Sequence, residues 1–253
     1  VVGGITRECT VKACKLYREI VDTVIPATSA ETAEMVKLLE NTFRAVNIGL
    51  VNEVALMCDT LGLDTWEVID AASSKPFGFM PFYPGPGIGG HCIPLDPHYL
   101  SWKLKMLNFY ARFIELAADI NSKMPGFLVR KTGDALNMHK KCFNKSRIMI
   151  LGVSYKKDIG DVRESPALDV IELLVRKGAA VSYHDPYVPR ITVNKKVFIS
   201  KKLMPSSLSK YDCVLITTNH SDFNIRSIVT HARLVIDARN ATKGIQSKNI
   251  VKL

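Results

Sequence analysis

The chain has 253 residues, with 34 Lys and Arg against 24 Asp and Glu, a formal net charge of +10, and 47% hydrophobic against 23% charged residues. These are globular proportions, which exclude disordered, collagen-like and low-complexity chains, and the length fits one large or two small domains. No apolar run reaches the ~18 residues of a spanning helix and no signal peptide opens the chain, so the expectation is a soluble, cytoplasmic protein without a membrane partner. Six cysteines (Cys9, Cys14, Cys58, Cys92, Cys142, Cys213) are scattered without a CxxC pair, which fits a reducing compartment and lacks zinc-ligand spacing. The excess of cations points to an anionic partner. The basic residues are spread out and little interleaved with aromatics, so a nucleic-acid surface is not expected.

In chain order, residues 1–4, a periodic segment over 6–20 and an apolar run over 22–26 read as strand, helix and strand. They are too little for a core of their own and read as the edge of a domain lying elsewhere. A helix start follows, with Thr28 as cap and Glu31 three residues on. Apart from Gly49, no Gly or Pro interrupts residues 30–61, and Gly62 is placed as the stop. A helix this long reads as a central strut that packs against a partner subunit. A shorter helix is expected over 65–73, and helical periodicity returns over 98–121 and 124–138. Between them, residues 75–97 carry Gly and Pro at a density that excludes helix and central strand, and such a long loop is usually functional. From Arg147 the pattern is β-rich over 147–153, helical over 166–176, and β-rich again over 179–184, 211–217 and 233–236. Alternating strands and helices predict a doubly wound parallel sheet. The fold class expected is therefore α/β: an all-helical middle, then a Rossmann-like domain. The domains read as 1–27, 28–123 and 124–253.

Three constellations can carry chemistry. Cys92 lies in Gly89-Gly90-His91-Cys92, where backbone amides can approach a substrate closely, and cysteine is a nucleophile as its thiolate. Asp96 is either a base toward water or a cap for the next helix. Glu34, Lys37, Asn41 and Arg44 fall on one helical stripe, which is a solvated face unless the otherwise apolar helix is enclosed. Tyr155-Lys156-Lys157-Asp158 and Arg163-Glu164-Ser165-Pro166 sit where a strand ends and a helix begins, which suits a phosphate-bearing ligand. Arg239 ends the last predicted strand and can face the same crevice. There is no GxGxxG fingerprint in the chain.

Gly85-Pro86-Gly87-Ile88-Gly89-Gly90-His91-Cys92-Ile93-Pro94-Leu95-Asp96-Pro97, the Glu34…Lys37…Asn41 helix and Tyr155-Lys156-Lys157-Asp158…Arg163-Glu164-Ser165-Pro166, in that order, resemble the UDP-glucose/GDP-mannose dehydrogenase family over essentially the whole chain. Leu95 before Asp96, Pro97 after it, and the run from Arg112 to Pro125 resemble the acetamido-sugar branch. UDP-N-acetylglucosamine is then the expected substrate, with UDP-glucose or UDP-N-acetylmannosamine as alternatives. The resemblance implies two successive NAD-dependent oxidations at C6 of a UDP-sugar. Cys92 would form a thiohemiacetal and then a thioester. Lys37 and Asn41 would serve the substrate oxygen, and Asp96 would assist water or tune Lys37. Arg44, Gly89, Tyr155, Lys156 and Arg239 would hold the UDP-sugar, and Cys92 and Arg163 would border NAD. It further implies a homodimer through the long helix, and an absent NAD-binding domain that leaves this segment inactive alone. A non-catalytic nucleotide-sugar-binding or dimerisation module is the competing expectation.

Overall fold

The computed structural model describes all 253 residues. Val2 and Pro26 form an isolated parallel bridge, and α1 (Arg7–Tyr17) runs between them with Thr6 as its cap. The middle of the chain is helical: α2 (Ala30–Leu61), α3 (Thr65–Ala72), α4 (Asp96–Lys105) and α5 (Arg112–Met138). α2 ends at Gly62 in the left-handed conformation, as its sequence predicts. Its N-terminal cap is Ser29, not Thr28: the Ser29 hydroxyl accepts from Thr32 N at 3.2 Å, while Thr28 meets only the Thr32 hydroxyl. Residues 98–121 do not form one helix. The chain leaves helix after Lys105 and re-enters at Arg112, with Asn108 in a left-handed turn between. α5 then continues through Pro125, whose missing N–H removes a single hydrogen bond from a helix buried along most of its length.

The C-terminal part is a five-stranded parallel sheet in the order β2-β1-β5-β6-β7, from β1 (Arg147–Leu151), β2 (Ala180–His184), β5 (Cys213–Ile216), β6 (Val235–Asp237) and β7 (Ile250–Lys252). A separate antiparallel hairpin, β3 (Arg190–Val193) with β4 (Lys196–Ile199), follows β2 and was not expected from the pattern. The period-2 alternation of strand side chains sorts β1 onto two cores. Ile148 and Ile150 join the second half of α5 and α6 (Pro166–Arg176), whereas Met149 and Leu151 join α7 (Pro205–Leu208) and α8 (Ile225–His231). Both faces are therefore covered, the doubly wound arrangement. α6 begins at Ser165-Pro166 as cap and first turn.

Two consequences position the site. The first half of α5 packs along α2 and the second half lies under the sheet, so one helix joins the helical layer to the α/β layer. The strand order reverses between β1 and β5, which opens a crevice at their carboxyl ends. Gly152 at the end of β1 has φ 80, and a Cβ there would lie 2.3 Å from Thr218 O, so only glycine lets the two strand-end loops close on each other. No helix is long and apolar enough to cross a membrane. α2 nevertheless leaves Leu39, Phe43, Leu50 and Leu61 on its surface, and Phe77 and Met80 stand exposed in the loop after α3.

Candidate active site

The loop between α3 and α4 has no repetitive structure, so its backbone polar groups must be satisfied by neighbours. Both layers provide them. Asn52, fully buried on α2, accepts from Gly85 N at 3.0 Å and donates to Asn121 Oδ1 of α5 at 2.8 Å. Asn121 donates in turn to Ala45 O at 3.2 Å. On the other side Gly90 N donates to Arg163 O at 3.0 Å, and Tyr155 lies against Gly89 and Gly90. A Cβ on Gly89 would sit 2.5 Å from Tyr155 Cβ and 2.8 Å from Glu164 O, so glycine is required for the two layers to touch here. Tyr83 stacks on Trp66 at 5.7 Å between ring centres, and Asp70 of α3 pairs with Lys243 at 2.6 Å across the layers. Lys243 and Tyr83 together hold the Asp70 carboxyl below its ordinary range.

Within this frame the sequence-derived candidates separate into groups. Asn41, Arg44 and Asp96 come together. Asn41 is buried, donates to Asp96 Oδ2 at 2.6 Å and accepts from Arg44 Nη2 at 2.5 Å. One amide hydrogen of Asn41 remains for a further acceptor, and Arg44 Nε is buried without a partner. Asp96 opens α4, but it does not cap it: no side chain caps that helix, and Leu95 occupies the cap position. Lys37, on the same stripe, pairs with Glu40 at 3.3 Å and is mostly exposed. Cys92 is exposed on the loop, with His91 Nδ1 at 3.8 Å, and its carbonyl accepts from Leu95 N and Asp96 N to start the turn into α4. Cys92 and Asn41 are thus joined through Asp96.

On the crevice side, Lys156 is exposed and without an ion pair, while Arg163 is held by Asp161 through Nε at 3.1 Å and Nη2 at 2.6 Å. Arg239 lies half-buried against Gly85, and its one side-chain hydrogen bond is from Nε to Thr217 O at 2.9 Å. Burial lowers its guanidinium to about 10, which leaves it charged at neutral pH. A half-buried cation without a carboxylate partner is stabilised when an anion joins it. A cavity of about 200 Å³ lies behind the loop, lined by Ile88, Ile93 and Pro94 but not by Cys92.

A helical layer and a doubly wound sheet thus clamp a cysteine-bearing Gly/Pro loop between them, with Lys156 and Arg239 beyond the strand ends of the sheet. Comparison with known proteins gives the class. The central-domain model of the UDP-glucose/GDP-mannose dehydrogenase family matches residues 31–123 and its UDP binding domain matches residues 149–244. The chain belongs to that family. It is 36% identical, over 88% of its length and 49% of the relative's, to a UDP-N-acetyl-D-mannosamine dehydrogenase of Methanococcus maripaludis. To an NDP-N-acetyl-D-galactosaminuronic acid dehydrogenase of Ralstonia nicotianae it is 32% identical, over 94% of the chain and 55% of the relative. The solved UDP-D-ManNAc dehydrogenase of Pyrococcus horikoshii superimposes with a TM-score of 0.86 at 34% identity, covering 99% of this chain and 58% of that one. The chain spans about half the length of the relatives it matches.

Asn52 and Asn121 are absent from the sequence-derived candidates. Their signal was modest: asparagines, poor helix formers, inside helices whose neighbouring positions are apolar. Asn52→Ala leaves Gly85 N and Asn121 Oδ1 buried without partners. It is expected to lower unfolding free energy in urea by about 2–3 kcal/mol, and an unchanged midpoint would contradict the bracing role.

Proposed function

We propose that this chain forms the catalytic-loop and nucleotide-sugar-binding portion of an NAD-dependent 6-dehydrogenase acting on a UDP-N-acetylhexosamine. The observation that carries the reading is the clamped loop, which links Cys92 through Asp96 to Asn41 on one side and packs on Tyr155 on the other. All three relatives described above carry acetamido-sugar names. The sequence reading favoured UDP-N-acetylglucosamine; the mannosamine names support its alternative, and UDP-N-acetylmannosamine is the substrate we propose.

In this reading Arg239 and Lys156 neutralise the diphosphate, Tyr155 borders the nucleotide, and Gly89 holds the UDP-sugar through its backbone polar groups. Arg44, with its unpartnered Nε, and the free amide hydrogen of Asn41 bind substrate oxygens. Lys37 accepts the proton from the C6 hydroxyl as it is oxidised and stabilises charge on that oxygen. Cys92, as thiolate, adds to the aldehyde carbon, and the resulting thiohemiacetal loses hydride to become a thioester. Asp96, fixed by Asn41, orients the water that hydrolyses the thioester to carboxylate and free thiol. Bound NAD would supply the hydride acceptor for both oxidations. The residues present do not themselves form a dinucleotide cradle: β1 ends at Leu151 and α6 starts only at Pro166, so no glycine-rich turn leads directly from strand to helix. Arg163 is the residue we assign to the NAD side. The exposed apolar row of α2 is the surface we assign to a second copy of the chain.

Calorimetry on this chain should show UDP binding with an affinity that falls as salt rises, and an enzyme of the relatives' full length carrying these residues should oxidise UDP-N-acetylmannosamine in preference to UDP-N-acetylglucosamine and UDP-glucose. Cys92→Ser in that enzyme should remove acid formation; undiminished acid output, or preference for UDP-glucose, would sink the assignment. Light scattering on the chain should report the mass of two copies, and a single-copy mass at micromolar concentration would contradict the second-copy surface.

A further inference from the structure

The mechanism makes no use of His220, the most enclosed histidine in the molecule at 1% exposure. It lies beyond β5, and the rings of Tyr187 and Phe223 shield it at 5.0 and 5.3 Å between centres. Its two nitrogens face different strand-end loops. Nδ1 accepts from Asp158 N at 3.0 Å, and a backbone N–H can only donate, so the ring proton is assigned to Nε2. Nε2 lies 3.0 Å from Asp185 Oδ2 and 3.1 Å from Ser154 Oγ. Asp185, at the end of β2, also accepts from Val153 N at 2.7 Å and Ser154 N at 3.1 Å. Ser154 Oγ is then free to donate to Lys156 O at 3.0 Å.

The segment 154–158 is thus moulded from the far side. Thr218 Oγ1 donates to Ser154 O at 2.6 Å, and Ser221 donates to the Asp158 carboxylate through N and Oγ, each at 2.7 Å. Asp158 needs this support because its φ is 60, a left-handed conformation that non-glycine residues adopt reluctantly. Tyr155 and Lys156 lie inside the held segment, and Tyr155 is the residue that touches Gly89 and Gly90.

We propose that His220 is a positioning residue for the nucleotide-sugar site: by accepting from Asp158 N while donating to Asp185, it fixes the 154–158 turn that presents Tyr155 and Lys156. An apolar core residue would fill the space but leave the Asp158 N–H unpartnered and take from Asp185 Oδ2 its histidine donor, leaving that oxygen only the Val153 and Ser154 amides. A histidine supplies an acceptor and a donor on opposite edges of one ring. The inference rests on the nucleotide reading of Tyr155 and Lys156 given above.

Two variants separate positioning from filling. In His220→Asn the amide oxygen replaces Nδ1 and keeps the acceptor for Asp158; in His220→Gln the amide nitrogen replaces Nε2 and keeps the donor toward Asp185. Calorimetry with UDP on the 253-residue chain is expected to show roughly tenfold weaker binding for His220→Gln and less than about threefold for His220→Asn. Amide exchange over residues 154–158 should quicken in the Gln variant alone. Equal losses in both variants, or unchanged affinity and exchange in the Gln variant, would overturn the proposal. If the unsubstituted chain fails to bind UDP, the nucleotide reading falls, and exchange over 154–158 still decides the positioning claim by the same comparison. Should either variant fail to fold, Ser221→Ala, at an exposed position, removes only the hydroxyl tie to Asp158 and leaves the His220 acceptor in place; slow exchange at the Asp158 amide then supports the proposal, and exchange at unfolded-chain rates contradicts it.

Discussion

The structure depends on how a Gly/Pro-rich loop satisfies its own backbone. Residues 84–90 are buried or half-buried between two layers, in a conformation that cannot pair with itself. The amides of Gly85 and Gly90 therefore look outward, one to Asn52 on the long helix and the other to the carbonyl of Arg163. Each bond belongs to a different layer, so the loop takes its shape only when both are in place. Cys92 follows two residues after Gly90, and Asp96 four residues later still, where it meets Asn41. The position of the Cys92 sulfur is in this way a property of the junction.

The junction is reinforced by groups of unequal weight. The surface pairs Asp70–Lys243 and Asp64–Lys252 cross it, but exposed ion pairs each contribute at most about 1 kcal/mol. The Asn52–Asn121–Ala45 chain is buried and fully paired, and removal of one member strands the others. α5 adds a covalent tie, since its first half packs along α2 and its second half joins one core of the sheet. Arg239, without a carboxylate partner, and the orphaned Nε of Arg44 are left unsatisfied by the chain itself.

Much of this was legible in the residues. The limits of α2, its Gly62 stop, the Ser165-Pro166 start of α6 and the strand-helix alternation follow from local rules. So does the order of the three chemical motifs. What was not legible depended on contacts distant in sequence. The β3–β4 hairpin turns at Asn194-Lys195, both with positive φ, where the usual glycine signal is missing. The break between α4 and α5 occurs in an aromatic run with unbroken helical periodicity. Asp96 had even claims as base and cap, and its real partner, Asn41, lies 55 residues away. Asn52 and Asn121 look like ordinary helix residues until the loop is laid across them.

The central claim, that the cysteine loop is held by both layers at once, is tested most directly by native-state hydrogen exchange at Gly85 and Gly90. The account predicts that both amides exchange at least about a hundredfold slower than in an unfolded chain, with the two opening together. Exchange of either amide at unfolded-chain rates, while α2 and β1 stay protected, would show that the loop is not clamped and would contradict the account.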